Sequence, residues 1–130
     1  MADAIYPLGK DHLLKKDIDV EVDDLKIVLV SSAYTYNAAH EDEEDLSGIL
    51  AESAAFQATV SAGVLDFPDV TISGLDTGET CAAYILYMDT GTPATSWLIA
   101  YKDSAAELPL AGVTGIDVQL TVNGSGFFTL

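Results

Sequence analysis

The stretch TCAAYILYMDTGTPATSWLIAY, residues 80–101, decides the fold. Residues 80–88 and 97–101 are dense in aromatic and branched side chains, which favour a pleated and packed surface. The eight residues between them, Asp89-Thr90-Gly91-Thr92-Pro93-Ala94-Thr95-Ser96, are turn formers. The stretch therefore reads as two strong strands joined in a long-looped hairpin. Its apolar core, residues 81–88, is far shorter than a membrane span, so a buried sheet is expected and no membrane partner.

Outward from the hairpin the same character persists. Lys26-Ile27-Val28-Leu29-Val30 is continuously apolar after its first residue, as in a central strand covered on both faces. Ile18, Val20 and Val22 alternate with acids, which predicts a strand over 18–22 with one wet face. Phe56, Ala58 and Val60 alternate with polar residues, as do Val70 and Ile72, so two more strands flank a bend at 63–68. Ile116, Val118, Leu120 and Val122 alternate too, and Asn123-Gly124 marks a tight turn into a final strand over 127–130. Helix is expected in two places only. Residues 8–16 form a short amphipathic helix after Tyr6-Pro7, with Leu13 and Leu14 as its apolar stripe and lysines near its C-terminal end, and 46–56 reads as a second helix that Gly48 weakens. The whole is a mainly β chain: a single antiparallel β-sandwich or barrel-like domain, 1–130, of about seven or eight strands with a short N-terminal helix. Within it, 1–16 reads as an arm that could be removed without unfolding the sandwich of 17–130.

Charge narrows the partners. Twenty-one Asp and Glu stand against five Lys and no Arg, for a net charge of −16. Nucleic-acid binding relies on Lys and Arg to neutralise phosphate and on Arg to read guanine, so nucleic acid is not an expected partner. Four of the lysines, Lys10, Lys15, Lys16 and Lys26, lie in the first fifth of the chain. The remainder is anionic and suits a basic partner. The single cysteine, Cys81, has no intramolecular disulfide partner, and the N-terminus lacks a basic start followed by an apolar run, so synthesis and assembly in a cytoplasm are expected.

The residues that could carry chemistry do not form known constellations. His40-Glu41 with Glu44 lacks the second histidine that places two imidazoles on one helix face, and His12 is the only other histidine. The run Glu41-Asp42-Glu43-Glu44-Asp45 lacks the alternating acids and central glycine of a calcium loop and reads as a solvated surface. Cys81 sits in an apolar strand as a small core residue. Neither a nucleophile elbow nor a phosphate-binding glycine loop occurs, and Asn123-Gly124-Ser125 reads as a hairpin turn, not a glycosylation site. The expectation is no enzyme, no metal and no cofactor. Tyr84, Tyr87 and Tyr101 fall within strands and read as structural, whereas Tyr6, Tyr34 and Tyr36 fall outside them and read as interface residues. The irregular segment 33–47 is the first candidate surface, since long loops are usually functional.

Several motifs in the same order also resemble small virion proteins of tailed bacteriophages. They are Ala4-Ile5-Tyr6-Pro7, Tyr34-Thr35-Tyr36-Asn37-Ala38-Ala39-His40-Glu41, Gly63-Val64-Leu65-Asp66, Asp89-Thr90-Gly91-Thr92, Ala94-Thr95-Ser96, Leu98-Ile99-Ala100-Tyr101, Asn123-Gly124 and the terminal Leu130. Two positions depart from that pattern: Trp97 stands where a basic residue often precedes Leu-Ile-Ala-Tyr, and Val122 where an aromatic often precedes Asn-Gly. The resemblance implies a structural protein of the virion, and small size with no catalytic motif favours a capsid decoration or cement protein bound to the major capsid protein and self-associating. A tail or neck component, and a carbohydrate-binding module using Trp97, Tyr34 and Tyr36, are the alternatives. The expected partner contacts are Ile5, Tyr6, Pro7, Lys10, Lys15, Lys16, Tyr34, Tyr36 and His40.

Overall fold

A computed structural model describes residues 3–105, 108–120 and 128–129. In chain order the strands are β1 (Ala4–Ile5), β2 (Leu25–Val30), β3 (Ile49–Glu52), β4 (Thr59–Ser61), β5 (Val64–Asp66), β6 (Val70–Ile72), β7 (Thr80–Cys81), β8 (Ala83–Met88), β9 (Leu98–Lys102), β10 (Leu110–Ala111), β11 (Val118–Leu120) and β12 (Phe128–Thr129). One helix, α1 (Pro7–Leu14), follows β1.

The chain is mainly β and antiparallel, and the hairpin of β8 and β9 is its centre; the strand expected over 80–88 is divided, since Thr80–Cys81 pair with β10 in a separate sheet. β8 pairs with β9 from Tyr84↔Lys102 to Tyr87↔Leu98, with a bulge after Leu86. On its other side β8 pairs with β2 along the full length, from Leu25↔Met88 to Val30↔Ala83. β3 and β1 close the flanks, giving a five-stranded sheet in the order β1-β9-β8-β2-β3. Its two outer strands each lack a second neighbour among the described residues, so the sheet is not a closed barrel. Three small sheets, β10-β7, β11-β6 and β12-β5-β4, complete the strand pairing.

Period-two alternation on β2 and β8 divides the interior. Leu25, Ile27, Leu29, Leu86 and Met88 join Phe67, Val70, Ile72, Leu75 and Leu120 in one buried cluster on the side of the small sheets. Val28, Val30, Ala83, Ile85, Tyr87 and Leu98 face the opposite way and join Tyr6, Tyr34 and Tyr101. The continuously apolar reading of 26–30 holds because both faces are covered.

Several local expectations are corrected. Residues 18–22 form turns, not a strand: Ile18 and Val20 are buried, but the Asp19 carboxylate accepts from Glu21 N and the Asp23 carboxylate accepts from Asp19 N. Short acidic side chains that satisfy nearby backbone donors compete with a ladder, and here they prevail. No helix forms over 46–56; its Ile49–Glu52 are strand β3, paired with β2 from Val28↔Glu52 to Val30↔Ile49, because the open edge of β2 gives those residues a better partner than their own turn. The bend at 63–68 contains β5, which turns back on β4 through Ala62 (φ 51°) and Gly63 (φ 79°). Two successive positive φ values suit the twist of a tight hairpin. Within the strand expected over 56–61 only Thr59–Ser61 is regular, and Phe56 makes an isolated bridge to Leu25. Residues 116 and 117 lie outside β11. The Asn123-Gly124 turn falls outside the described residues, while Phe128–Thr129 forms a strand as expected.

The N-terminal segment is not an arm. β1 pairs with β9, Tyr6 N–H donates to Ile99 O at 3.0 Å, and α1 packs on β9 through Gly9. Pro7 opens α1 at the first helical position, where a missing N–H costs nothing. Leu13 turns inward, but Leu14 is 83% exposed, so the two do not form one buried stripe.

Candidate interaction surface

The loop of residues 33–47 covers the second face of the sheet, and its aromatic side chains point inward. The Tyr6 hydroxyl pairs with the Tyr34 hydroxyl at 2.7 Å, and the Tyr34 hydroxyl pairs with His40 Nδ1 at 2.8 Å. The Tyr36 ring lies 5.1 Å from that of Tyr6 and 5.4 Å from that of Tyr101. Burial pushes the Tyr6, Tyr34 and Tyr36 phenols up, and burial with the nearby Asp103 carboxylate raises Tyr101 to about 12. All four stay protonated at neutral pH, as packing and hydrogen-bonding groups and not as bases.

Tyr6 and Tyr34 are therefore corrected from partner contacts to core residues, at 0% and 5% exposure. Lying outside strands placed them in a loop, but the loop folds back onto the sheet. Ile5, Tyr36 and His40 are partly buried, whereas Pro7, Lys10, Lys15 and Lys16 are exposed. The structure thus separates the expected contacts into an interior group and an outward lysine group on α1 and the residues after it.

The acid run is held by its own backbone and by the main hairpin. The Asp42 carboxylate accepts from Glu44 N, and the Asp45 carboxylate accepts from Glu41 N and Asp42 N, a reciprocal capping box around Glu43–Asp45. Burial raises Asp42, and Asp45, Glu44 and Glu41 nearby add to the effect. Leu98 N–H donates to Glu41 O, and Glu43 N–H donates to Ser96 O, which stitches the run to the β8–β9 connection. His12 completes the tie: its ring nitrogens lie 2.8 Å from Asp17 and 3.0 Å from Glu41, and its ring stacks on Trp97 at 4.2 Å with planes 7° apart. That stacking covers one face of the indole expected as a sugar platform. Glu44, Asp45, Asn37 and Thr35 remain exposed, so the loop turns its rings in and a polar, acidic surface out.

A second feature lies at α1. Ile5, Leu13, Val20, Val60, Leu65 and Ile99 line an apolar groove of about 90 Å³. Leu13, Val20 and Val60 also line a neighbouring depression together with Lys16, Asp19 and Glu21. Sequence reading placed Val60 on the apolar face of an alternating strand and carried no signal for this groove, because its lining comes from β1, α1, β4, β5 and β9, which are distant in the chain.

Among the described residues no cluster of three or more His, Cys, Asp or Glu is arranged to hold a metal ion. Cys81 is buried, and its thiol donates to Ala83 O. No helix of the described chain is long and apolar enough to cross a membrane. Comparison with family models, curated proteins and solved structures returned no match.

Proposed function

We propose that the protein is a structural, non-enzymatic component of a tailed-phage virion, a decoration or cement protein that binds the major capsid protein of the head lattice. It would assemble in the host cytoplasm. The observation that carries the reading is the loop of residues 33–47, long and irregular yet tied down by the Tyr6–Tyr34–His40 chain, the capping box and the His12–Glu41 contact. A surface ordered before binding loses little entropy on docking. Its outward acids suit a basic patch on a capsid lattice, as does the net charge of −16. The resemblance of the sequence motifs to phage virion proteins supplies the particle.

Quantifying the protein in purified particles, by gel densitometry against the major capsid protein, tests the proposal. A copy number comparable with that of the capsid protein is expected. A small fraction of that number would move the protein to the tail or neck, and absence from particles would sink the virion reading. Glu44→Lys, an exposed change on the docking loop, should weaken rebinding to stripped particles by about tenfold while leaving the fold unchanged.

A further inference from the structure

Six large apolar side chains stand exposed among the described residues, and one of them, Val60 (47%), belongs to the groove at α1. Val60 lines it directly. An open apolar groove with a half-exposed valine on its wall is a candidate contact site.

The charges around the groove say what covers it. Lys16, with Lys15 beside it, and the acids Asp19 and Glu21 border the same patch. A purely basic partner would meet the lysines, and a purely acidic one would meet the carboxylates. A second copy related by a two-fold axis lays the lysines of each subunit against the carboxylates of the other and closes the two apolar grooves together. In such an interface a contact from one residue to another is made twice, so a patch bearing both signs complements itself. Away from it two copies at −16 repel, which favours this approach over others.

We propose that the α1–β4 groove is the two-fold interface of a homodimer, with Val60 and Leu13 at its apolar centre and Lys16 paired with Glu21 of the second copy. The proposal does not depend on a place in a phage particle.

Sedimentation equilibrium of the purified chain over a range of concentrations at about 0.15 M salt, where the repulsion between two copies at −16 is largely screened, should show a dimer. Val60→Asp, at an exposed hairpin position, should raise the dissociation constant by at least about tenfold with an unchanged circular dichroism spectrum. Lys16→Glu and Glu21→Lys should each be monomeric alone, and an equimolar mixture of the two should recover a dimer, because the mixed pair restores both charge contacts. A wild-type chain that stays monomeric at the highest attainable concentration would overturn the proposal. So would a dimer that survives Val60→Asp, or a mixture of the charge variants that stays monomeric.

Discussion

Asp3 shows how a single side chain fastens the start of the chain. Its carboxylate accepts from Ser104 Oγ at 2.6 Å and from Ser104 N and Asp103 N, each at 3.0 Å, and it faces Lys102 Nζ at 3.4 Å. Burial by itself would raise its pKa, but the Ser104 and Asp103 donors and the Lys102 charge together hold it below the usual carboxylate range. A depressed folded pKa means that this contribution is complete above the unfolded value and is lost as the pH falls through the folded one. Asp3→Asn should therefore lower stability at pH 7 by roughly 1–3 kcal/mol, with the gap to wild type closing in acid. Parallel urea titrations at the two pH values measure it, and a gap that persists unchanged in acid would refute the account. Residue roles of this kind are poorly legible in sequence. Asp3 and Ser104 are 101 positions apart, and Tyr6 and Tyr34 carried the composition of interface residues although both lie in the core.

At the scale of elements, α1 depends on a close approach that only glycine permits. A Cβ at Gly9 would run into the Leu98 carbonyl oxygen and lie 3.2 Å from Ile99 Cα, both backbone atoms of β9 that cannot swing aside. Gly9→Ala should then cost about 1–3 kcal/mol by pushing the helix off the sheet, despite the better helix propensity of alanine. A lowered thermal midpoint with near-native helix content is the expected result, and a raised midpoint would show that the helix can shift without loss. The same packing, with the β1–β9 pairing, ties Ala4–Ile5 into the sheet and α1 onto it, so the segment is built into the fold and does not hang free as an arm. The densely apolar β2 and β9 were read correctly, and the strand expected over 80–88 holds for β8 but not for Thr80–Cys81, which pair with β10. The segments 18–22 and 46–56 were misread, because aspartate-to-backbone bonds in one and the open edge of β2 in the other outweighed local preference.

Across the whole molecule, the net charge of −16 opposes compaction, and only Lys26, with Glu52 and Asp89, and Lys102, with Asp3, lie in lysine ion pairs among the described residues. Screening the many repulsions should outweigh weakening those few pairs. Sodium chloride raised from a low concentration to about 0.5 M should therefore increase the thermal midpoint, each 1 kcal/mol gained being worth about 4 °C at this size. A midpoint that falls with salt would mean that the ion pairs dominate. Composition and period-two patterning alone determined that the chain is a mainly β, antiparallel fold built on the hairpin of residues 80–101. They did so because the spacing of apolar side chains dictates which backbone geometry can bury them. The tertiary structure alone decided that the loop of residues 33–47 turns its tyrosines inward, that the N-terminal segment joins the sheet, and that Leu13, Val20 and Val60 meet in one groove. Each of these unites residues far apart in the chain, and such contacts leave no local period to read.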